Sequence, residues 1–265
     1  MTNKNTMLIH LLSPMHVGGT YEFSVVDQPI QREGHTGFPK IEASSLKGSI
    51  RHHYVRTVKD NAQEKVIFGD TDYAGKLTFT DARILFFPVR SAKGVYALLT
   101  CPIVLNRYMQ EEGKNITVNI DGNQGHVTST STIKLENSNN VLLDEYLYEQ
   151  VEENLEFNTC IKYVEGRMSG VDIASHAFLI SDDEFTYFVK HNTEIITRTA
   201  INHETGIVTT HALFDEEYVP TETIFYTTIH GEQAYISELD LDILQIGGNM
   251  TLGKGFVKVH GGGQA

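Results

Sequence analysis

Residues 43–59 read ASSLKGSIRHHYVRTVK. Apolar residues recur every fourth position, which predicts a helix with one buried face: Leu46, Ile50, Tyr54 and Val58. Ser44 or Ser45 stands where a helix N-cap belongs. Lys47 and Arg51 lie four residues apart on a neighbouring face. The stretch therefore predicts an amphipathic helix with two hydroxyl groups and two cations in its first turns.

A strand and a long loop precede this helix. Residues 6–12 form a short apolar run that stops at Ser13-Pro14, as a buried first strand would. Residues 15–40 contain four glycines and two prolines, too many for a long regular element. Loops of this length inside a compact domain are usually functional. We therefore expect a flexible functional loop between the first strand and the helix.

Strands and helices follow in alternation. Alternating apolar positions predict strands over 76–87 and 95–100, and Pro102 marks a helix start. Residues 110–140 predict an irregular insertion, and residues 141–156 an acidic helix. Two strand-like runs, 193–201 and 207–213, flank the turn Asn202-His-Glu-Thr-Gly206 and predict a projecting hairpin. The rest predicts strands over 223–229 and 256–259 and a helix over 237–244.

The composition is that of a soluble globular chain of 265 residues with a net charge of −13. Residues 31–59 nevertheless hold six Lys or Arg against two acids, whereas residues 141–156 hold six acids and no Lys or Arg. This asymmetry is typical either of a protein that grips a polyanion on one face or of an ordinary solvated helix. The chain has no apolar run of membrane length and no signal-peptide core at its start, which predicts a cytoplasmic protein without membrane contact. The two cysteines, Cys101 and Cys160, predict free buried thiols.

The glycine-rich stretch 247–255 contains the spacing GxxxxGK, from Gly248 to Lys254. Gly255 replaces the Ser or Thr of a P-loop, and only ten residues follow, which argues against a nucleotide hydrolase. The stretch favours an anion-binding turn and an ordinary tight turn equally. The start of the predicted helix likewise fits a phosphate site or simple capping. Twelve histidines show no metal-binding spacing, so no structural metal is expected.

Several motifs in a fixed order resemble the RAMP superfamily of CRISPR RNA-binding proteins, and more closely the backbone subunits of type III-B effectors. They are Met15-His-Val-Gly-Gly19, Asp27-Gln-Pro-Ile-Gln-Arg-Glu33, His35-Thr-Gly-Phe-Pro39, Ser44-Ser-Leu-Lys-Gly48-Ser-Ile-Arg51, Phe68-Gly69, Thr80-Asp-Ala-Arg-Ile-Leu85, Phe87-Pro-Val-Arg-Ser91, Thr100-Cys-Pro-Ile-Val-Leu105, Ala212-Leu-Phe-Asp-Glu-Glu-Tyr-Val-Pro220 and the glycine-rich stretch. The likeness spans nearly the whole chain.

This resemblance implies an α+β fold: a ferredoxin-like (RRM-like) palm with helical insertions and a projecting β-hairpin thumb. Residues 1–265 would form one domain. It would contain a flexible catalytic loop at about 15–40, an inserted region at about 105–160 and the thumb at about 193–220. The implied partners are a guide crRNA, a complementary target RNA, copies of the chain in a helical filament and other type III subunits.

The resemblance also implies a reaction and its residues. The family cleaves target RNA at regular intervals, with Mg²⁺ or Mn²⁺ expected only when the target is bound. Asp27 would be the catalytic residue and the metal ligand, supported by His16, Glu216 and Tyr218. The guide phosphates would be held by Ser44, Ser45, Lys47, Arg51, Arg198, Gly247, Gly248, Asn249, Gly253 and Lys254.

Three alternatives remain open for the activity. The chain could be a non-catalytic subunit that only coats the guide, or the type III-A equivalent with the same chemistry. It could also be a metal-independent endoribonuclease that processes the guide by histidine acid–base chemistry, a reading that the Asp27 segment disfavours.

Overall fold

The computed structural model describes residues 3–19, 26–58, 60–120, 122, 124–199 and 213–261. The strands are β1 (Asn3–Leu11), β2 (Lys40–Ile41), β3 (Thr78–Phe79), β4 (Ala82–Arg90), β5 (Tyr96–Thr100), β6 (His126–Val127), β7 (Val141–Leu143), β8 (Tyr146–Tyr148), β9 (Glu152–Glu153), β10 (Ala177–Leu179), β11 (Glu194–Arg198), β12 (Phe214–Tyr218), β13 (Ile224–Gly231), β14 (Ile243–Gln245) and β15 (Phe256–His260). The helices are α1 (Ala43–Thr57), α2 (Asn61–Phe68), α3 (Pro102–Glu111), α4 (Leu155–Glu165), α5 (Asp182–His191) and α6 (Gln233–Ser237), with a 3₁₀ turn at Met250–Leu252.

A mixed 11-stranded sheet forms the centre of the molecule, in the order β14-β15-β1-β13-β4-β5-β10-β6-β9, with β2 added to β4 and β3 to β13. Most neighbours are antiparallel, whereas β5–β10 and β6–β9 are parallel. The strands β11 and β12 form a separate two-stranded sheet, as do β7 and β8. The expected α+β class is therefore confirmed.

Helix α1 confirms the helix expected from residue 43 onward, although Lys59 lies outside the described residues. Leu46, Ile50 and Tyr54 are buried, as their spacing predicts. The prediction is wrong for Val58, which is exposed because the helix ends at Thr57. The N-cap prediction is wrong, because Glu42 takes that position and makes no side-chain cap. The amide of the first helical residue, Ala43, instead donates to the carboxylate of Asp81 over 2.8 Å.

The strands around β4 and β5 and the helix that starts at Pro102 are confirmed. The prediction of an acidic helix over 141–156 is wrong. The chain turns at Asp144, whose φ is +48°, and forms the β7–β8 hairpin. Its buried residues alternate with a period of two, and the next helix begins only at Leu155, capped by Asn154.

The prediction of a helix over 237–244 is also wrong, because α6 ends at Ser237 and β14 starts at Ile243. Asp240 lies between them with a φ of +47°, a conformation that no helix contains. The strand over 193–201 is confirmed by β11, whose partner is β12. The predicted turn and second strand, residues 202–213, lie outside the described residues except for Leu213.

One continuous apolar core fills the space between the sheet and its helices. Cys101 and Cys160 are free and buried in it, as expected. Among the described helices, none is long and apolar enough to cross a bilayer.

Candidate functional site

Asp27 lies exposed beside the start of β12. Its Oδ2 accepts a hydrogen bond of 2.9 Å from the backbone N–H of Asp215. The next residue, Gln28, pairs with the same strand, donating to the Asp215 carbonyl over 3.0 Å and accepting from the Glu217 N–H over 3.0 Å. Backbone pairing with β12 therefore fixes where the Asp27 carboxylate stands. Residues 20–25 of the expected loop lie outside the described residues.

The donor set around Asp27 fits a divalent metal only in part. No group of three or more His, Cys, Asp or Glu side chains comes together within the described part of the chain. Mg²⁺ is commonly held by one or two carboxylates while water and substrate phosphates complete its octahedron. An exposed carboxylate such as Asp27 suits that kind of site.

A buried polar network connects β11, β12 and the glycine-rich stretch. It begins at Glu216, the residue after the one whose amide holds Asp27. Glu216 accepts hydrogen bonds from Arg198, from Tyr218 over 2.8 Å and from Asn249 over 3.0 Å. The Tyr218 hydroxyl also meets Arg198 at 2.6 Å and Asn249 at 2.8 Å. The network thus brings together four of the residues that the resemblance selected.

The electrostatics of this network keep Glu216 ionised. Burial opposes ionisation, but the hydrogen bonds from Asn249, Tyr218 and Arg198 outweigh it and lower the pKa of Glu216. Burial and the neighbouring carboxylate raise the pKa of Tyr218. Lys254 places its Nζ 4.9 Å from the centre of the Tyr218 ring, a cation–π distance.

His16 joins this network to the glycine-rich stretch. Its Nδ1 lies 2.7 Å from the Glu217 carbonyl, which can only accept, so Nδ1 carries the proton. In the neutral ring Nε2 is then the acceptor. The His16 carbonyl accepts the Gly248 N–H over 2.9 Å. A Cβ at Gly247, whose φ is +83°, would lie 2.2 Å from that carbonyl oxygen, so only glycine fits there.

An open cleft of about 430 Å³ separates α1 from the glycine-rich stretch. One face of α1 lines it with Ser44, Ser45, Gly48, Ser49 and His52. The opposite wall consists of Val17, Gly18, Gln245 and Gly247. The cleft therefore presents hydroxyl and amide groups, and no Lys or Arg belongs to the lining that the described residues form.

The cations chosen from the sequence have different surroundings. Arg51 forms an ion pair with Glu64 of α2. Arg198 is engaged by Glu216 and Tyr218, and Lys254 covers the Tyr218 ring. Lys47 lies half-buried on α1, on the side of Arg51 rather than of the cleft.

Several polar groups of this region were missed by the sequence analysis. Ser49, His52 and Gln245 line the cleft, and Gln31 donates to the Ser45 hydroxyl over 3.2 Å. Glu217 is 6% exposed and holds three separate segments. Helix periodicity around Ser44 could have indicated Ser49 and His52. No local signal marks Gln245, and the motif 212–220 contains Glu217 without indicating what its side chain contacts.

The sequence profile of the RAMP superfamily matches residues 8–258, and the chain belongs to this superfamily. Within it, the chain is similar to the CRISPR system Cmr endoribonuclease Cmr4 of Pyrococcus furiosus. The two are 40% identical over 275 residues, which cover 95% of this chain and 93% of the relative. The CRISPR system CMR subunit Cmr4 of Saccharolobus solfataricus is 24% identical, over 95% of this chain and 94% of that protein.

Solved structures agree with this family. The crystal structure of oligomeric Cmr4 from Pyrococcus furiosus superposes with a TM-score of 0.77 at 34% identity, over 97% of this chain and 96% of that one. A chain in the cryo-EM structure of type III-B Cmr-beta bound to cognate target RNA gives a TM-score of 0.79 at 21% identity, over 97% and 96%, and shares the fold. The expected likeness to type III-B backbone subunits is confirmed.

Proposed function

We propose that this chain is the guide-binding backbone subunit of a type III-B CRISPR effector and cleaves target RNA paired to the guide. The observation that carries the proposal is the 40% identity to an endoribonuclease over almost the full length of both chains. The exposed Asp27 carboxylate, held beside β12, supports the same activity. The complex would act in antiviral defence, in the cytoplasm.

The finer architecture belongs to the same proposal. The central sheet would contain the ferredoxin-like palm, and the separate β11–β12 ladder would be the root of the thumb at about 193–220. Residues 15–40 would form the catalytic loop of a single domain, and residues 105–160 its insertion. Copies of the chain would stack along the guide, as the oligomeric state of the similar crystal structure suggests.

The guide would lie in the cleft between α1 and the glycine-rich stretch. Ser44 and Ser45 offer hydroxyl groups there, and Gly247 and Gly248 let a phosphate approach the backbone. Lys47 would add long-range attraction from the neighbouring face of α1. Arg198, Asn249 and Lys254 would hold the glycine-rich stretch and the thumb root in place through Glu216 and Tyr218.

In the reaction, Asp27 would accept the proton of a ribose 2′-OH on the target strand. The 2′-oxygen would then attack the adjacent phosphorus and expel the 5′-oxygen, which takes a proton from water, leaving a 2′,3′-cyclic phosphate. In the alternative role Asp27 would hold a Mg²⁺ or Mn²⁺ ion, which would neutralise the charge that develops on the phosphate. His16, Glu216 and Tyr218 would support the loop from behind.

The test uses the complex assembled on a guide and an end-labelled complementary RNA, with Mg²⁺ or with EDTA. We expect evenly spaced products from the native complex and none from Asp27→Ala, while guide binding is unchanged. Asp72→Ala, which removes an exposed carboxylate elsewhere, is the matched control and should cleave normally.

Cleavage by Asp27→Ala at the native rate would refute the catalytic assignment. Tight target binding without cleavage by the native complex would favour the non-catalytic coating subunit. Loss of guide binding in Asp27→Ala would refute the proposal that Asp27 acts in cleavage and not in guide binding.

A further inference from the structure

We propose that Glu217, which no part of the proposed reaction uses, is the positioning residue that sets the place of the Asp27 carboxylate; this inference rests on the proposed function. Glu217 lies in β12, two residues after Asp215, whose amide holds Asp27. Its neighbours in the strand, Glu216 and Tyr218, belong to the network with Asn249. The Glu217 side chain makes none of those contacts.

The side chain of Glu217 binds three donors from distant parts of the chain. Its Oε2 accepts from the backbone N–H of Ile30 over 3.0 Å. Its Oε1 accepts from Arg32 Nη2 over 2.5 Å and from the Thr193 hydroxyl over 2.8 Å. Ile30 and Arg32 follow Asp27 in the loop, and Thr193 lies at the root of the proposed thumb.

The backbone of Glu217 holds the loop as well. Its N–H donates to the Gln28 carbonyl over 3.0 Å, and its carbonyl accepts from His16 Nδ1 over 2.7 Å. Apart from the hydrogen bond that Thr193 donates, every polar contact of this residue is therefore made with the segments before and after Asp27. Because the loop is joined to β12 on both sides of Asp27, a change at Glu217 should move the Asp27 carboxylate.

A buried carboxylate is costly unless charged donors pair with it, and here Arg32 supplies the charge. Arg32 is itself fixed, because its Nη1 donates to the carbonyls of Gly37 at 2.9 Å and Val189 at 3.0 Å. An amide cannot replace this carboxylate. In either orientation the NH₂ group of Glu217→Gln would face a donor, which is the Ile30 amide or the Arg32–Thr193 pair.

Two measurements on the guide-loaded complex and the free chain test the inference. We expect Glu217→Gln to slow single-turnover target cleavage by about 10- to 100-fold, because small displacements of a reacting group have effects of that size. Target affinity should stay within about twofold of native. Hydrogen exchange of the amides in residues 28–32 of the free chain should become faster.

Thr193→Val removes one donor of the same carboxylate and should slow cleavage by a smaller factor. Glu149→Gln, at an exposed glutamate, is the matched control and should change neither measurement. Native cleavage by Glu217→Gln despite faster exchange would overturn the proposal. Equal loss of target binding and cleavage in both Glu217→Gln and Thr193→Val would also overturn it, because Glu217 would then be a folding residue.

Failure of the proposed function would look different. Native and Asp27→Ala complexes would then cleave equally, whatever Glu217 does. In that case faster exchange of residues 28–32 in Glu217→Gln would still uphold the anchoring, and unchanged exchange would refute it.

Discussion

At the scale of single residues, the buried network around Glu216 explains why polar side chains can lie behind the proposed catalytic loop. Each oxygen of the carboxylate has a donor, and the Tyr218 hydroxyl is shared by Arg198 and Asn249. Unpaired, these groups would destabilise the fold, whereas paired they give the strand and the glycine-rich stretch one fixed arrangement.

Removal of the Tyr218 hydroxyl should therefore destabilise the folded chain. We expect Tyr218→Phe to lower the free energy of unfolding by about 1–3 kcal/mol, because Glu216 and Asn249 each lose a partner in a buried place. Urea denaturation measures the change. Tyr73→Phe, at a side chain that is 77% exposed, should leave stability unchanged. An equally stable Tyr218→Phe variant would show that the hydroxyl is dispensable to the network.

His260 gives the molecule a pH dependence of known sign. Burial, followed by His10 and Lys258, lowers the pKa of His260 from 6.5 to about 4. The unfolded chain therefore binds a proton at His260 before the folded chain does, and stability falls as the pH drops from 6.5 to 4. The loss amounts to about 3 kcal/mol at pH 4.

His260→Phe should remove this contribution. Urea denaturation of both proteins at pH 7 and pH 4 measures it as the difference between their losses. If the pKa of His260 were not lowered in the folded chain, the native protein and His260→Phe would lose the same free energy of unfolding between pH 7 and pH 4.

At the scale of elements, periodicity predicted α1, β4 and β5 correctly because each repeats its buried residues at its own spacing. It failed for residues 141–156, where a left-handed Asp144 turns the chain between two short strands. The run of acidic residues resembled the solvated face of a helix. Pairing of β7 with β8, and hydrogen bonds from this hairpin to Arg90 and Ala92, gave strands instead.

Helix α1 carries a glycine that its own packing does not require. A Cβ at Gly48 would meet no atom within 4 Å, although glycine in a helix interior is less stable than alanine. We expect Gly48→Ala to raise the free energy of unfolding by about 0.5–1 kcal/mol. Because Gly48 lines the cleft, the same variant should bind guide RNA more weakly.

Thermal unfolding and a filter-binding titration give the two readouts for Gly48→Ala. Val55→Ala, at a 39% exposed position outside the cleft lining, is the control and should leave guide affinity unchanged. A stabilised variant with native affinity would mean that the guide does not approach Gly48.

The candidate site as a whole was predictable only in part. The motifs supplied Asp27, Glu216 and Asn249 by resemblance, and the structure brings the last two together. Glu217 lies within the quoted motif 212–220, but its role could not be found this way, because its partners Ile30 and Arg32 lie more than 180 residues away in sequence. Such a contact exists only after the sheet has formed.

At the scale of the whole molecule, the net charge of −13 means that RNA must be attracted by a local field. Lys47 and Arg51 lie together on α1, but Arg51 is paired with Glu64. The two cations should therefore contribute unequally to the binding of a polyanion.

Guide titrations at several salt concentrations measure this difference. We expect Lys47→Ala to lower the slope of log affinity against log salt by about one, as for one lost phosphate contact. Arg51→Ala should lower the slope less, because the Arg51 charge is already offset by its ion pair with Glu64. Equal slopes for the native protein and Lys47→Ala would show that Lys47 does not contact a phosphate.

The bond between Asp81 and the first amide of α1 has a mechanical consequence. Burial opposes ionisation of Asp81, but the Ala43 amide and Lys40 outweigh it and lower the pKa of Asp81, so this joint stays charged at neutral pH. It fixes the start of α1 to the turn between β3 and β4. A force applied to α1 by bound RNA would therefore be transmitted to the central sheet, and the repeat distance of a filament built on that RNA would depend on the position of the sheet.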